Sequence, residues 1–143
     1  MLINTENTAR VWEHDFKALH PNTLFPDQLT NAVVSDFGHA VLNYPAQPAP
    51  ALGQKVIDNG QALIDGYWQV QWAVIDLTPG ELASIARDVR SERDQLLADC
   101  DWTQVADAPV DASLWATYRQ ALRDVPTQTG FPLTVEWPIA PGA

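Results

Sequence analysis

The residues of this chain whose types could do chemistry gather at one bend. Asp99, Cys100 and Asp101 stand together in RDQLLADCDWTQVADAPV, residues 93–110. Two acids facing one cleft with separated pKa values would support glycosidase-type catalysis. A thiol beside a base would support nucleophilic attack. Neither pattern is complete. No GxSxG motif is present, and carboxylates on both sides of Cys100 oppose the thiolate, which is the reactive form. At a helix end, Asp101 is better explained as the cap of a following turn. His14, His20 and His39 are irregularly spaced and Cys100 is remote from them. No HExxH or CxxC pairing supplies the closely spaced ligands of a zinc site, so the histidines read as surface or capping residues. No GxGxxG or GxxxxGK forms a phosphate cradle. The sequence therefore predicts no catalytic residue, no metal site and no cofactor.

Aromatic side chains are the other chemical resource. The chain has 143 residues and six tryptophans. Exposed rings bind sugars or peptides, whereas buried rings let a small domain build a core from few residues. Trp68, Trp72 and Trp115 read as core. Trp12, Trp102 and Trp137 sit at element boundaries, where locking one element onto the next and facing a ligand are both open. The formal net charge is -10, from 18 acids against 8 bases. That balance opposes nucleic acid phosphates and anionic membranes, and it suits a basic protein partner. No apolar run is long enough to cross a bilayer. The first residues lack the basic start and apolar core of a signal peptide. The single cysteine forms no intrachain disulfide, which fits a reducing compartment.

The elements that must position these residues follow from periodicity and punctuation. Residues 1–9 are polar and read as extended or loosely held. Trp12, Phe16 and Leu19 are spaced for a short helix over residues 12–19. Pro21 and Pro26 bracket a loop. A second short helix is expected over residues 28–36, with Leu29, Val33 and Phe37 inward and Gly38 ending it. Val41, Asn43 and Tyr44 suggest a brief extended element. Pro45, Pro48 and Pro50 then impose a stiff crossover. A meander follows: strand at Lys55–Ile57, turn at Asp58–Gly60, strand at Gln61–Ile64, tight turn at Asp65–Gly66, strand over Tyr67–Ile75. Alternation puts Trp68, Val70, Trp72 and Val74 on one face. Thr78, Pro79 and Glu81 form a capping box opening a helix to about Asp99. Its apolar stripe is interrupted between Val89 and Leu96. Asp111 caps a second helix over residues 111–125, whose apolar face holds Leu114, Trp115, Tyr118, Ala121, Leu122 and Val125. Prolines exclude helix beyond Pro126, and the end reads as an extended arm anchored by Phe131, Val135 and Trp137.

The late segment resembles the C-terminal region of bacteriophage tail assembly chaperone and tail fibre assembly proteins. The residues that carry the likeness are Arg93 to Gln104, Asp107 to Pro109, Trp115 to Asp124, Gly130 to Pro132 and Trp137-Pro138. HPNTLFP, YPAQPAP and DGYWQVQWAVIDLTP in the earlier part are also in character. The resemblance implies help in folding or joining fibre or other tail proteins, without catalysis. It implies a junction at which Trp102 folds onto Leu97 and the second helix. Arg119 and Arg123 are one turn apart, within reach of Asp94 or Asp99.

The expected architecture is α+β. A small domain over residues 1–77 has short helices, an antiparallel β-hairpin or meander and the proline-rich crossover. A helical hairpin and extended C-terminal arm occupy residues 78–143. The expected function is a non-enzymatic tail or tail fibre assembly chaperone working in the host cytoplasm during virion morphogenesis. Retention in the virion tail and homo-oligomerisation stay open. Its partner would be a tail, fibre or baseplate protein, with no nucleic acid, membrane or cofactor. The partner-binding candidates are Trp102, Trp115, Tyr118, Arg119, Arg123, Phe131 and Trp137. A structural virion component and a carbohydrate-binding module are the alternatives.

Overall fold

The computed structural model describes residues 1–142. The chain is α+β and divides into two compact units, Met1–Ile75 and Asp76–Ala143. In the first, strands β1 (Leu2–Asn4), β2 (Arg10–Val11) and β3 (His39–Val41) form an antiparallel sheet of order β2-β1-β3. The register pairs Leu2 with Val11 and Val41, and Ile3 with Arg10 and Ala40. Alternation therefore gives the sheet two different faces. Leu2, Val11 and Val41 pack with Phe16 of helix α1 (Glu13–Leu19) and Val34 of helix α2 (Asn31–Val34). Ile3 and Ala40 pack with Leu42, Val70, Trp68 and Trp72.

Of the two readings of residues 1–9, extended and loosely held, the first holds at Leu2–Asn4, where Leu2 and Ile3 are both fully buried. A three-residue strand covered on both faces shows no alternation to read. Asn4 helps turn the chain back, its side-chain oxygen accepting from the amides of Glu6 and Asn7 at 3.0 and 3.2 Å. In α1 only Phe16 reaches the core, while Trp12 and Leu19 are exposed. α2 is shorter than expected; it tightens into a 3-10 turn over Ser35–Phe37, and Gly38 ends it at φ 68°. His39 is not at the surface. It is buried with its Nδ1 2.7 Å from the Phe37 carbonyl and its ring against Phe16.

A long hairpin completes this unit: β4 (Gln54–Ile64) and β5 (Tyr67–Asp76). Asp65 and Gly66 both have positive φ, 51° and 81°, as the two-residue turn requires. Trp68, Val70 and Trp72 share the inward face as expected, but Val74 is exposed. Trp72 donates its indole N–H to the Pro45 carbonyl at 2.9 Å, which ties down the proline crossover. Asp58–Gly60 does not separate two strands; it kinks one continuous strand. Gly60, at φ 94°, donates its amide to Asp58 Oδ1 at 2.9 Å, a local side-chain turn within a strand.

That kink faces Arg10, which shares a register pair with Ile3. Its guanidinium donates to both Asp58 carboxylate oxygens, to Gln61 Oε1 at 2.9 Å and to the Gly60 carbonyl at 3.1 Å. The Arg10 bonds, and next the Gly60 amide, hold the Asp58 carboxyl at about 2, well below the ordinary value of about 3.9.

In the second unit, helix α3 (Pro79–Asp99) opens on the capping box read from the sequence. The Glu81 amide donates to Thr78 Oγ1 at 3.3 Å and the Thr78 amide to Glu81 Oε2 at 2.9 Å. Helix α4 (Ala112–Asp124) starts with Asp111 accepting from Ser113 and Leu114 at 2.9 and 3.0 Å. The two form the helical hairpin, closed by Cys100, Tyr118 and Leu122 with Leu96, Leu97 and Trp115. The arm is extended only after Thr134. Before that the chain turns repeatedly through residues 129–133, with a cis Phe131–Pro132 peptide.

The depressed Asp58 carboxyl sets a pH dependence. Its contribution is present above the unfolded value and fades as pH falls through about 2. Between pH 4 and 2 the wild-type chain is therefore expected to lose stability more steeply than Asp58→Asn. Urea midpoints followed by circular dichroism at low salt measure this, and parallel curves would refute it.

Candidate partner-binding surface

Arg119 points inward from the middle of α4 and is only 8% exposed. Its Nη1 donates to the Leu97 carbonyl at 2.8 Å and contacts Cys100 Sγ at 3.0 Å. Its Nη2 donates to Asp101 Oδ1 at 2.7 Å. Leu97 belongs to the last turn of α3, where carbonyls have no helical donor and a cation opposes the negative end of the dipole. Cys100 adds an S–H bond to the same carbonyl at 3.2 Å. Thr103 donates its hydroxyl to the Cys100 carbonyl at 2.7 Å. Burial lowers the Arg119 pKa, but the bonds to Asp101 and Cys100 outweigh it and leave the group above its ordinary value. Burial, then the nearby Cys100 and Asp99, push the Tyr118 hydroxyl up.

This corrects two expectations at the bend. Asp101 is not a cap, because the 3-10 turn at Asp101–Gln104 has no side-chain cap bond; its carboxylate serves Arg119. Arg119 does not pair with Asp94 or Asp99. Those acids are engaged along α3 itself, Asp94 by Arg93 at 2.6 Å and Asp99 by Gln95 at 2.7 Å. The bend brings Asp101 closer than either.

Trp102 leans on Trp115 with ring centres 6.1 Å apart, and Trp115 meets Tyr118 edge-on at 5.6 Å. Trp102 remains 51% exposed, while Tyr118 is buried. Trp137 and Ala140 of the arm pack on the Cys100, Tyr118 and Leu122 cluster. Phe131 sits under the Arg90 guanidinium at 5.0 Å. Arg123 is exposed on the last turn of α4. Trp102, Trp115, Tyr118, Arg119 and Trp137 are thus gathered around the bend. Phe131 is anchored apart from them on α3, and Arg123 lies free of the cluster.

The arm is held by its own side chains. Gln128 brackets Glu136, donating to its carbonyl and accepting from its amide, both at 2.8 Å. Inside this loop the Thr134 amide donates to the Gly130 carbonyl at 2.8 Å. A Cβ on Gly130 would lie 2.8 Å from the Thr134 Cβ and carbonyl oxygen. So closed, the arm makes one wall of an apolar groove of ≈350 Å³. Leu114, Thr117, Tyr118 and Ala121 form the helical wall; Pro138, Ile139 and Pro141 form the other. Leu114 and Ile139 are 56% and 84% exposed. Asp99, Cys100 and Asp101 line neither this groove nor the hollow under the arm's turns at Gln128–Glu136.

Residues 86–142 match the family model described as phage tail assembly chaperone protein. This segment is similar to that family. The match takes in the bend, α4 and the arm, and leaves the first unit and the opening turns of α3 outside. No curated protein and no solved structure matches the chain. Within the matched segment, sequence reasoning missed the groove. Leu114 reads only as part of the apolar face of the second helix, and Ile139 has no role. The legible signal was the spacing of Leu114, Tyr118 and Ala121, which marks one face of α4.

Three substitutions test the geometry by urea denaturation. Arg119→Met leaves the Leu97 carbonyl short of a donor and is expected to cost about 2–4 kcal/mol. Asp101→Asn, at a side chain 67% exposed, is expected to cost under about 1 kcal/mol. Gly130→Ala forces the loop backbone apart and is expected to cost about 1–3 kcal/mol, with the Trp137 fluorescence altered. Equal losses for Arg119→Met and Asp101→Asn would argue against the buried clamp.

Proposed function

We propose that the chain is a non-catalytic assembly factor that binds a phage tail or tail fibre protein inside the host during virion morphogenesis and shields its apolar surface. The family match over the hairpin and arm supports the tail assembly role. The observation that carries the non-catalytic reading is the use of the bend's reactive groups. Asp101 and Cys100 are both bonded to Arg119, Asp99 to Gln95, and none of the three lines the groove along α4 or the hollow at Gln128–Glu136. A carboxylate or thiol held this way is not poised to meet a substrate. Large apolar and aromatic side chains also remain outward, among them Trp102, Leu114 and Ile139. Such residues suit contact with a protein.

Co-expression with each neighbouring tail gene product, followed by affinity capture, tests this. One tail protein is expected to co-purify in fixed ratio, and to aggregate or stay unassembled when the chain is withheld. Its normal assembly without the chain would exclude the chaperone role. Quantitative mass spectrometry of purified particles is expected to find the chain below one copy per tail-protein site. A full complement would assign it to the virion as a structural part.

A further inference from the structure

The groove along α4 has a chemistry of its own. Its walls are mostly apolar, with Thr117 the polar residue among them and its hydroxyl donated to the Ser113 carbonyl at 3.0 Å; the arm's wall is built around Pro138 and Pro141, which have no N–H to offer. A partner strand would find few backbone donors there, so recognition must run through side chains laid into the groove. The charges around it are one-sided. Asp111 lies three residues before Leu114 and Asp124 three residues after Ala121, so an exposed acid stands one turn beyond each end of the helical wall. The two acids are about 20 Å apart along the helix. The cations of α4 do not offset them. Arg119 is bonded to Asp101, and Arg123, two residues past Ala121, lies on the opposite side of the helix. The chain as a whole carries -10.

We propose that this groove receives an apolar segment of the tail protein bordered at both ends by lysine or arginine. The proposal rests on the assembly role above and adds the class of sequence that is bound. Apolar side chains would cover Leu114 and Ile139, and the flanking cations would face Asp111 and Asp124. The acids then select against apolar segments with acidic borders, which is the part of specificity that burial alone does not supply.

The test uses three synthetic peptides of about 14 residues, enough to span ~20 Å as helix. They share one apolar core and differ only in carrying Lys, Ser or Glu at both ends. Binding to the full chain is read by fluorescence polarisation. The Lys-bordered peptide is expected to bind roughly five- to tenfold tighter than the Glu-bordered one, with the Ser-bordered peptide between. The difference should shrink at high salt and in Asp124→Asn. Leu114→Asp and Ile139→Asp, at exposed positions that leave the core intact, should abolish binding with unchanged thermal melts. Equal affinities for the three peptides would overturn the charge selection. Undiminished binding by Leu114→Asp and Ile139→Asp would overturn the groove. A wild-type dimer dispersed by Ile139→Asp would assign the groove to a second copy and also overturn the proposal. Capture of the co-expressed tail protein separates the two levels. If wild type and Ile139→Asp capture it equally, the groove assignment falls and the assembly role stands. If wild type captures none, the assembly role falls and the peptide ranking alone decides the groove.

Discussion

A helix that ends inside a folded unit leaves carbonyl oxygens without donors, and burying them unbonded is costly. In the C-terminal unit this constraint falls on Leu97, at the end of α3, where the chain must turn at once to bring α4 alongside. Arg119 meets it from the facing helix. One guanidinium reaches the Leu97 carbonyl, the Cys100 sulfur and the Asp101 carboxylate, so the end of α3, the bend and the middle of α4 are fixed to one planar group. A lysine at this position has the charge without the fork and could not reach three acceptors in one plane. The arrangement is not fully satisfied, since the Nε proton is buried without a partner. The charge therefore defines the register of the two helices more than it adds stability, and ring packing by Trp115, Tyr118 and Leu122 supplies the bulk of the cohesion.

The N-terminal unit uses the same side chain under different conditions. Arg10 also reaches across the fold, to Asp58, Gly60 and Gln61. Asp58 is exposed, however, so water competes for the charges and the pair is screened by salt. Cohesion there rests on the two-sided burial of β1, with Leu2 against the helices and Ile3 against the hairpin. Arg10 selects which part of β4 lies opposite β2. The kink at Asp58–Gly60 gives it a carboxylate and a carbonyl at one point on an otherwise extended strand.

What could be read from the residues was local. The capping box at Thr78–Glu81, the Asp111 cap, the Asp65–Gly66 turn and the inward face of Trp68, Val70 and Trp72 each follow from a few neighbouring side chains, and each is present. The late motif was legible as a family pattern. What failed depended on distant partners. Residues 1–9 read as either extended or loosely held, and the burial of Leu2 and Ile3 was not legible because a strand covered on both faces has no period. Asp58–Gly60 read as a turn because Asp and Gly favour turns, and the arginine that makes the kink useful lies 48 residues away. Asp101 read as a cap because nothing nearby announces that Arg119, 18 residues on, will reach it. The partner-binding candidates were chosen for size and charge, the properties that also select residues for a core, so Tyr118 and Arg119 turned out to be buried.

The distinction between side chains used internally and those left outward is what links the fold to its role. Around the bend, the groups with chemical reactivity are consumed: the thiol, the carboxylate and the guanidinium answer one another. Along the far side of α4, apolar groups are left unanswered: Leu114 faces a groove whose other wall is Pro138, Ile139 and Pro141, on an arm whose preceding loop is closed by Gln128 and by the close approach of Gly130 to Thr134. Holding an apolar groove open in water is unfavourable by the area it exposes. A surface kept in that condition gains free energy when another apolar surface covers it, and the fixed geometry means little ordering is lost on contact. Reversible shielding of a partner's apolar surface needs that combination of an exposed apolar face and a scaffold that does not collapse around it.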